Sequence, residues 1–421
     1  MPVRVVNMFF EITNIGKIKE ARLDMRGMTV LAGHNSTGKS TVGKALYCIF
    51  NAFSESDKTI IQTRKSDIVD MLTRYTRLPF VPQGRIDKLT DRILAKINSF
   101  QEMQKIIQEA IGQDIIVPRT AEDSVEILLK KIRDYAEVSD KEIQKVILSR
   151  YLAAEFDEQI THVNQPKQKG KISLSFKNQK FNLVADIVGK ECVEYVDSVG
   201  IMNRAFYADS PFIVDTIKSN VSRHYRTKYN HRHDVSRSFH LPSRSNNISE
   251  EVIGRQKLQF VMDRINLIIP GYFDKTESRR LGFREQGLDQ PLELTNVSAG
   301  MKTLLIIKRL LETGAIKERD VLILDEPEIH LHPDWQLKFA EVLVLLQQAF
   351  NLTVLLTTHS PYFLEAVEVY SSRHGISDNY ACYLTSKEGD CYVVNDVTQN
   401  MESVYKLLAE PFQELEDTRY E

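Results

Sequence analysis

Residues 31–41 read LAGHNSTGKST, an apolar strand end that runs straight into a glycine-rich turn carrying a lysine and two hydroxyls. The spacing Gly33-x4-Gly38-Lys39-Ser40 suits a loop that wraps a phosphate chain in its own backbone N–H groups. Gly33 and Gly38 tolerate the turn, and Asn35, Ser36, Thr37 and Thr41 fill out the cradle. The following STVGKALYCIFNAF has helical spacing, so a helix N-terminus adds positive potential at the same point. In such a loop Lys39 neutralises the outer phosphates and the Ser40 hydroxyl ligates Mg²⁺. Upstream, MFFEITNIG, KIKEARLDM and MTVLAG alternate as short strands, the last feeding the loop.

Three later segments carry matching chemistry. Val321–Glu326, VLILDE, is an apolar run ending abruptly in two carboxylates, as in a strand buried on both faces. Asp325 at its end is placed to hold Mg²⁺, and Glu326 to orient or deprotonate an attacking water. LLTTHSP (355–361) is a second buried strand ending in polar residues, where His359 can donate a hydrogen bond to a terminal phosphate. NVSAGMK (296–302) opens the helix MKTLLIIKRLLE. Taken alone, Ser298 there reads as an N-cap; its position ahead of the carboxylate strand makes it a second anion-binding point.

These four segments, in this order, resemble the ABC-type ATPase superfamily. The resemblance implies an α/β head, a mixed and parallel sheet flanked by helices, that binds ATP with Mg²⁺. It also implies a head-to-tail pair in which Ser298, Ala299 and Gly300 of one copy close over the γ-phosphate held by Lys39 of the other. The variants NSTGKST, SAGMK, DEPEIHLHP and TTHSP are similar to the OLD/RecF/SMC side of the superfamily rather than to transporters. Within it, FYADSPFIVDT (206–216), the modest helical insertion and the short tail resemble the PtuA ATPases of the Septu anti-phage system. That implies an ATPase subunit governing a separately encoded effector, an HNH nuclease. A RecF/SMC-like DNA-repair ATPase and an ATPase partner of a TOPRIM nuclease are the alternatives. The superfamily's Q-loop glutamine has no clear counterpart: Gln62, Gln83 and the region of Asp209 are all open, and no aromatic is assigned to stack adenine.

The rest of the chain sets bounds. Lys and Arg (55) almost cancel Asp and Glu (57) over 421 residues, so a globally basic nucleic-acid protein is not indicated. The N-terminus lacks an apolar h-region and no run approaches the ~18 apolar residues of a membrane span, so a cytoplasmic protein is expected. Four scattered cysteines fit a reducing compartment. Four segments are expected: 1–65, the N-terminal part of the head; 66–165, a helical insertion; 166–290, strands and helices with an exposed loop at 222–247; and 291–421, the C-terminal part of the head. Ile86, Ile93, Phe100 and Ile107 recur every seven residues and predict one helix of about 25 residues. Arg223, Arg226, Lys228, Arg232, Arg237 and Arg244 face only Asp234 in the 222–247 stretch, with His224, His231, His233 and His240 interspersed. A solvated loop is the plain expectation there, with phosphate contact to DNA as the alternative. His330 and His332 beside Glu328 read as interface residues more than a metal site. Only about sixty residues follow His359, and Asp390 and Asp396 read as turn residues, so a nuclease domain in cis is not expected.

Overall fold

Burial alternates along Met8–Ile15, where Met8, Phe10 and Ile12 are covered, so this segment pairs as a strand and not as a helix. It hairpins with Ile18–Met25 through a turn in which Gly16 takes φ +55°. The computed structural model describes residues 8–77, 83–97, 99–113, 115, 117–118, 123–165, 167–176, 182–217, 229–241 and 248–420. The chain forms two units, one of Met1–Ser54 with Leu148–Glu421 and one of Glu55–Ile147.

The larger unit is organised by an eleven-stranded mixed sheet. From one edge the order is Glu191–Asp197, Asn182–Val188, Gly170–Phe176, Met8–Ile15 and Ile18–Met25, all antiparallel neighbours. Then come Cys391–Asp396, Tyr380–Glu388, Met28–Ala32, Thr353–Thr358, Val321–Asp325 and Ala205–Ala208. All neighbours from Ile18–Met25 onward are parallel, apart from the hairpin of Tyr380–Glu388 with Cys391–Asp396. The central parallel strands Met28–Ala32, Thr353–Thr358 and Val321–Asp325 are buried almost throughout, which is why their sequences are nearly continuous apolar runs. Val30, Phe206, Leu322, Leu324, Val354 and Leu356 join a core with the helices Ala299–Glu312, Pro333–Phe350 and Pro361–Arg373. On the other face, Ile323 lies under the helix Lys39–Phe53, where a Cβ on Gly43 would meet Ile323 at 3.1 Å. The outer strand Ala205–Ala208 is tied to that helix by buried Asn51, which exchanges two hydrogen bonds with the Ala205 backbone (2.8 and 3.1 Å).

Among its described residues, the unit Glu55–Ile147 is helical apart from turns and the short pairing of Thr76–Arg77 with Val117–Pro118. Its core gathers Ile68, Leu72, Leu89, Ile93, Met103, Ile107, Leu128 and Ile132. The single heptad helix expected here is two helices, Gln83–Ala95 and Phe100–Gly112. Lys96 and Ile97 turn out of the first helix, the Ser99 N–H donates to the Lys96 carbonyl (2.9 Å), and Phe100 ends up exposed at the start of the second helix (42%), outside the apolar stripe. The compact helical unit also differs in extent from the 66–165 expected. The helix Ser56–Tyr75 belongs to it, whereas Leu148 and Leu152 are buried in the larger unit, where the Ser149 hydroxyl accepts from the Cys192 N–H at 2.9 Å.

The expected exposed loop is corrected too. Residues His231–Phe239 form a helix capped by the Asn230 side chain. His231, Val235 and Phe239, spaced i, i+4, i+8, are buried on one face. The flanking residues 222–228 and 242–247 lie outside the described residues, and with them Arg223, His224, Arg226, Lys228 and Arg244.

Candidate functional site

Three parallel strands bring their C-terminal ends into line. The register sets Ala32 beside Thr358 and Asp325 beside Thr357, so the glycine loop, the carboxylate pair and the histidine share one sheet edge. Open parallel sheets bind ligands at this edge, where strand ends and helix N-termini meet.

The loop's glycines are required by its path. Gly33 has φ +146°, and a Cβ there would stand 2.0 Å from the Thr385 hydroxyl; Gly38 has φ +93° and would clash with Ile18 at 2.6 Å. Ser36 enters the left-handed region at φ +66°. Thr37 is turned inward, donating to the His34 carbonyl (2.8 Å) and bonded to Thr385 (2.7 Å), so its side chain staples the loop instead of facing the cavity. Lys39 is 4% exposed and donates to the carbonyls of Gly33 (3.0 Å) and His34 (2.9 Å). Its Nζ also lies 3.1 Å from Glu326 Oε1, and His359 Nδ1 lies 3.4 Å from that same oxygen.

Glu326 itself sits at φ +48°, costly for a non-glycine residue. Its N–H is held by the Thr357 carbonyl and hydroxyl, both at 3.1 Å. Asp325 is fixed from two sides, by the Thr357 hydroxyl on Oδ1 and the Tyr207 hydroxyl on Oδ2 (3.0 Å). Burial, then the Asp325 charge, pushes the Tyr207 phenol far above its ordinary range, so it stays protonated as a donor. Beneath them Glu328 is 1% exposed and accepts from the Thr358 hydroxyl; burial raises its carboxyl above the usual carboxylate value.

A cavity of about 330 Å³ opens at this edge, lined by Asn35, Ser36 and Ser40 of the loop and by Asp325 and Glu326. Its opposite wall is the turn after Ala205–Ala208, with Asp209, Ser210 and Pro211, and the side chains of Thr303 and Ile306. Of the three open Q-loop positions, Asp209 is the one at the cavity; Gln62 and Gln83 belong to the helical unit. Behind Asp209 stands a buried ion cluster. His231 Nε2 lies 3.0 Å from Asp209, His231 Nδ1 lies 2.7 Å from Glu155, and Arg232 reaches Asp209 at 2.6 Å. Burial opposes charge on the His231 ring, but the two carboxylates outweigh it and raise the ring above its ordinary value. Burial likewise opposes the Asp209 charge, yet His231 and Arg232 hold it down to about 2.

Ser298, Ala299 and Gly300 do not line this cavity. Ser298 caps the helix Ala299–Glu312 by accepting from the Met301 N–H at 3.4 Å. Gly300 packs against the loop after Glu326, where a Cβ would stand 2.7 Å from the His330 carbonyl oxygen. The His330 ring meets Phe212 edge-on at 5.5 Å, and His332 Nδ1 accepts from the Asp334 N–H at 3.3 Å to start the helix Pro333–Phe350. Sequence reasoning missed Tyr207, Thr357, Glu155 and His231 as supports of the site. Only the His231/Val235/Phe239 spacing carried a readable signal, hidden among charges.

A strand–loop–helix cradle with a buried lysine, facing a strand that ends in paired carboxylates, defines a P-loop ATPase. The chain belongs to the AAA ATPase domain family, whose model matches residues 8–364. Among solved structures it is similar to an SMC head bound to the C-terminal winged-helix domain of ScpA, at 9% identity and a TM-score of 0.46, covering 94% of this chain and 99% of that one. An SMC head domain from Thermotoga maritima gives 12% and 0.37, covering 93% and 99%. The Smc head with an extended coiled coil bound to the C-terminal domain of ScpA, derived from Pyrococcus furiosus, gives 10% and 0.42, covering 96% and 99%. No described helix is long and apolar enough to cross a membrane.

Proposed function

We propose that the chain is an ABC-type ATPase subunit that hydrolyses ATP and thereby gates a separately encoded nuclease of the HNH kind in anti-phage defence. The observation that carries the reading is the meeting of Lys39 and His359 on one oxygen of Glu326. Glu326 is then the group that orients and deprotonates water, Lys39 the phosphate clamp, and His359 a hydrogen-bond donor to the terminal phosphate. A phosphate anion entering the cradle competes with Glu326 for Lys39, which frees the carboxylate for water. Ser40 and Asp325 line one cavity with hard oxygen donors, which suits Mg²⁺. When bound, Mg²⁺ neutralises charge building on the phosphates.

Ser298, Ala299 and Gly300 stand off their own cavity, which supports their acting on a second copy placed head-to-tail. The effector assignment is supported by the motif variants and by FYADSPFIVDT, whose Asp209, Ser210 and Pro211 line the cavity. Such a complex works in the cytoplasm.

The test is a mutant series. Lys39→Ala abolishes nucleotide binding, whereas Glu326→Gln keeps binding and slows single-turnover hydrolysis about 100-fold or more. Ser298→Arg binds ATP but does not hydrolyse it; normal turnover in that variant sinks the head-to-tail site. Native mass spectrometry with the product of the neighbouring gene tests the effector. Hydrolysis stimulated by DNA, with no nuclease bound, would instead favour a repair ATPase.

A further inference from the structure

The four cysteines are unbridged and very unequal. Cys48, Cys192 and Cys382 are buried, and burial pushes the Cys48 thiol far up and the Cys382 thiol up to about 12. Such thiols are inert. Cys391 is partly exposed, and its Sγ lies 3.0 Å from Nε2 of His162. His162 is itself 6% exposed and borders a cavity of about 340 Å³ that Val163 and Lys190 also line. Its Nδ1 is buried with no hydrogen-bond partner among the described residues, so no neighbour at Nδ1 fixes the tautomer of the ring. Cys391 is not among the residues lining that cavity, but its partly exposed thiol faces an imidazole nitrogen, a geometry in which a base can assist a nucleophile.

The pair also brackets the turn that supports the phosphate loop. On the His162 side, the Gly16 N–H donates to the Ile160 carbonyl at 2.8 Å and Ile15 bridges Thr161. On the Cys391 side, the Tyr392 N–H donates to the Lys17 carbonyl at 3.0 Å. From that turn, Lys17 Nζ donates to the Ser36 hydroxyl at 2.8 Å, and Ile18 fills the space above Gly38. A group added to the Cys391 sulfur therefore lies next to the backbone bonds that hold the turn under the loop.

We infer that Cys391 and His162 form a thiol-modification site for small organic disulfides, coupled through the Ile15–Ile18 turn to the phosphate loop. The exchange is Cys391–SH + R–S–S–R → Cys391–S–S–R + R–SH. The thiol proton passes to His162 Nε2 and the sulfur attacks one disulfide sulfur. The S–S bond breaks, its electron pair leaves on the second sulfur, and that thiolate takes the proton.

Full-length protein treated with dithiobis-nitrobenzoate tests this without reference to hydrolysis. One cysteine per chain reacts rapidly in the folded protein, peptide mass spectrometry maps it to Cys391, and His162→Asn slows it about tenfold or more. The pH dependence of the rate in the wild-type protein is the second readout, since it shows the assisting base without any variant that could misfold. Reaction no faster than a free thiol, at every pH, overturns the site. The coupling rests on the nucleotide reading above. It predicts a several-fold rise in the Kd for ATP after modification, reversed by dithiothreitol and absent in Cys391→Ser. Rapid labelling with unchanged ATP affinity overturns the coupling alone, and unmodified protein that binds no ATP overturns the nucleotide reading instead.

Discussion

Removing the His231 ring tests whether the cluster behind the cavity is electrostatic in origin. In His231→Leu, Glu155 (1% exposed side chain) and Asp209 (15%) lose the cation between them. Breaking a buried pair by deleting one partner costs about 3–5 kcal/mol, mostly as orphaned charge. The Asp209 carboxyl, held at about 2 against an ordinary 3.8, is stabilised by roughly 2 kcal/mol at ~1.4 kcal/mol per unit, a contribution that His231 shares with Arg232, which the variant keeps. The signs differ for the two partners. The Asp209 value is depressed, so its contribution is present above about pH 4 and lost as pH falls toward 2. The His231 value is raised, so its contribution is fully present below about pH 6.5 and lost as pH rises through the folded value above that. The penalty of the variant is therefore greatest between about pH 4 and 6.5 and shrinks on both sides. Trp335 is the only tryptophan and packs on the core of the larger unit, so its fluorescence in urea reports that unit's unfolding. With a urea slope near 3 kcal/mol/M, the midpoint falls by about 1–1.7 M at about pH 6. Adding Glu155→Gln to the variant restores part of the loss, because one stranded charge is gone. A midpoint unchanged at that pH, or a deficit that stays the same as pH falls from about 6 toward 2, refutes the electrostatic account.

Tyr207→Phe keeps the ring and removes the donor to Asp325, loosening it by about 1 kcal/mol. The Mg²⁺ concentration for half-maximal hydrolysis then rises several-fold, and an unchanged Mg²⁺ titration argues against a positioning role. Gly300→Ala drives a methyl to 2.7 Å from the His330 oxygen, at a cost of about 1–3 kcal/mol. Its Tm drops by several degrees even without nucleotide, and an unaltered Tm would mean that the helix start can shift freely.

Periodicity and motif spacing were enough for the site's framework. An apolar strand entering GHNSTGKST, and another ending in Asp325–Glu326, can be read locally because each feature is written within ten residues. The eleven-stranded sheet was not readable, since its order joins Met28–Ala32 to Thr353–Thr358 and Tyr380–Glu388 across hundreds of residues. The heptad at 86–107 misled because a spacing of seven does not show that one residue, Phe100, faces solvent after a turn. The segment around His231 misled in the opposite way. Its charges suggested solvent, yet Asp209 and Glu155, distant in sequence, supply the partners that let His231 be buried, and Tyr47 donates to Asp234 on the same helix (2.7 Å).

From its sequence alone, then, this protein is a P-loop ATPase with Lys39, Asp325, Glu326 and His359 as the groups to watch. Local backbone chemistry dictates the phosphate loop and the strand ends wherever they lie in space. The tertiary structure decided which residues hold those groups in place. Tyr207 and Thr357 clamp Asp325, His231 and Arg232 neutralise Asp209, and Thr37 turns away from the cavity to staple the loop. The physical reason is that a buried polar group needs a partner at hydrogen-bond distance, and only the folded chain determines which distant residue arrives there.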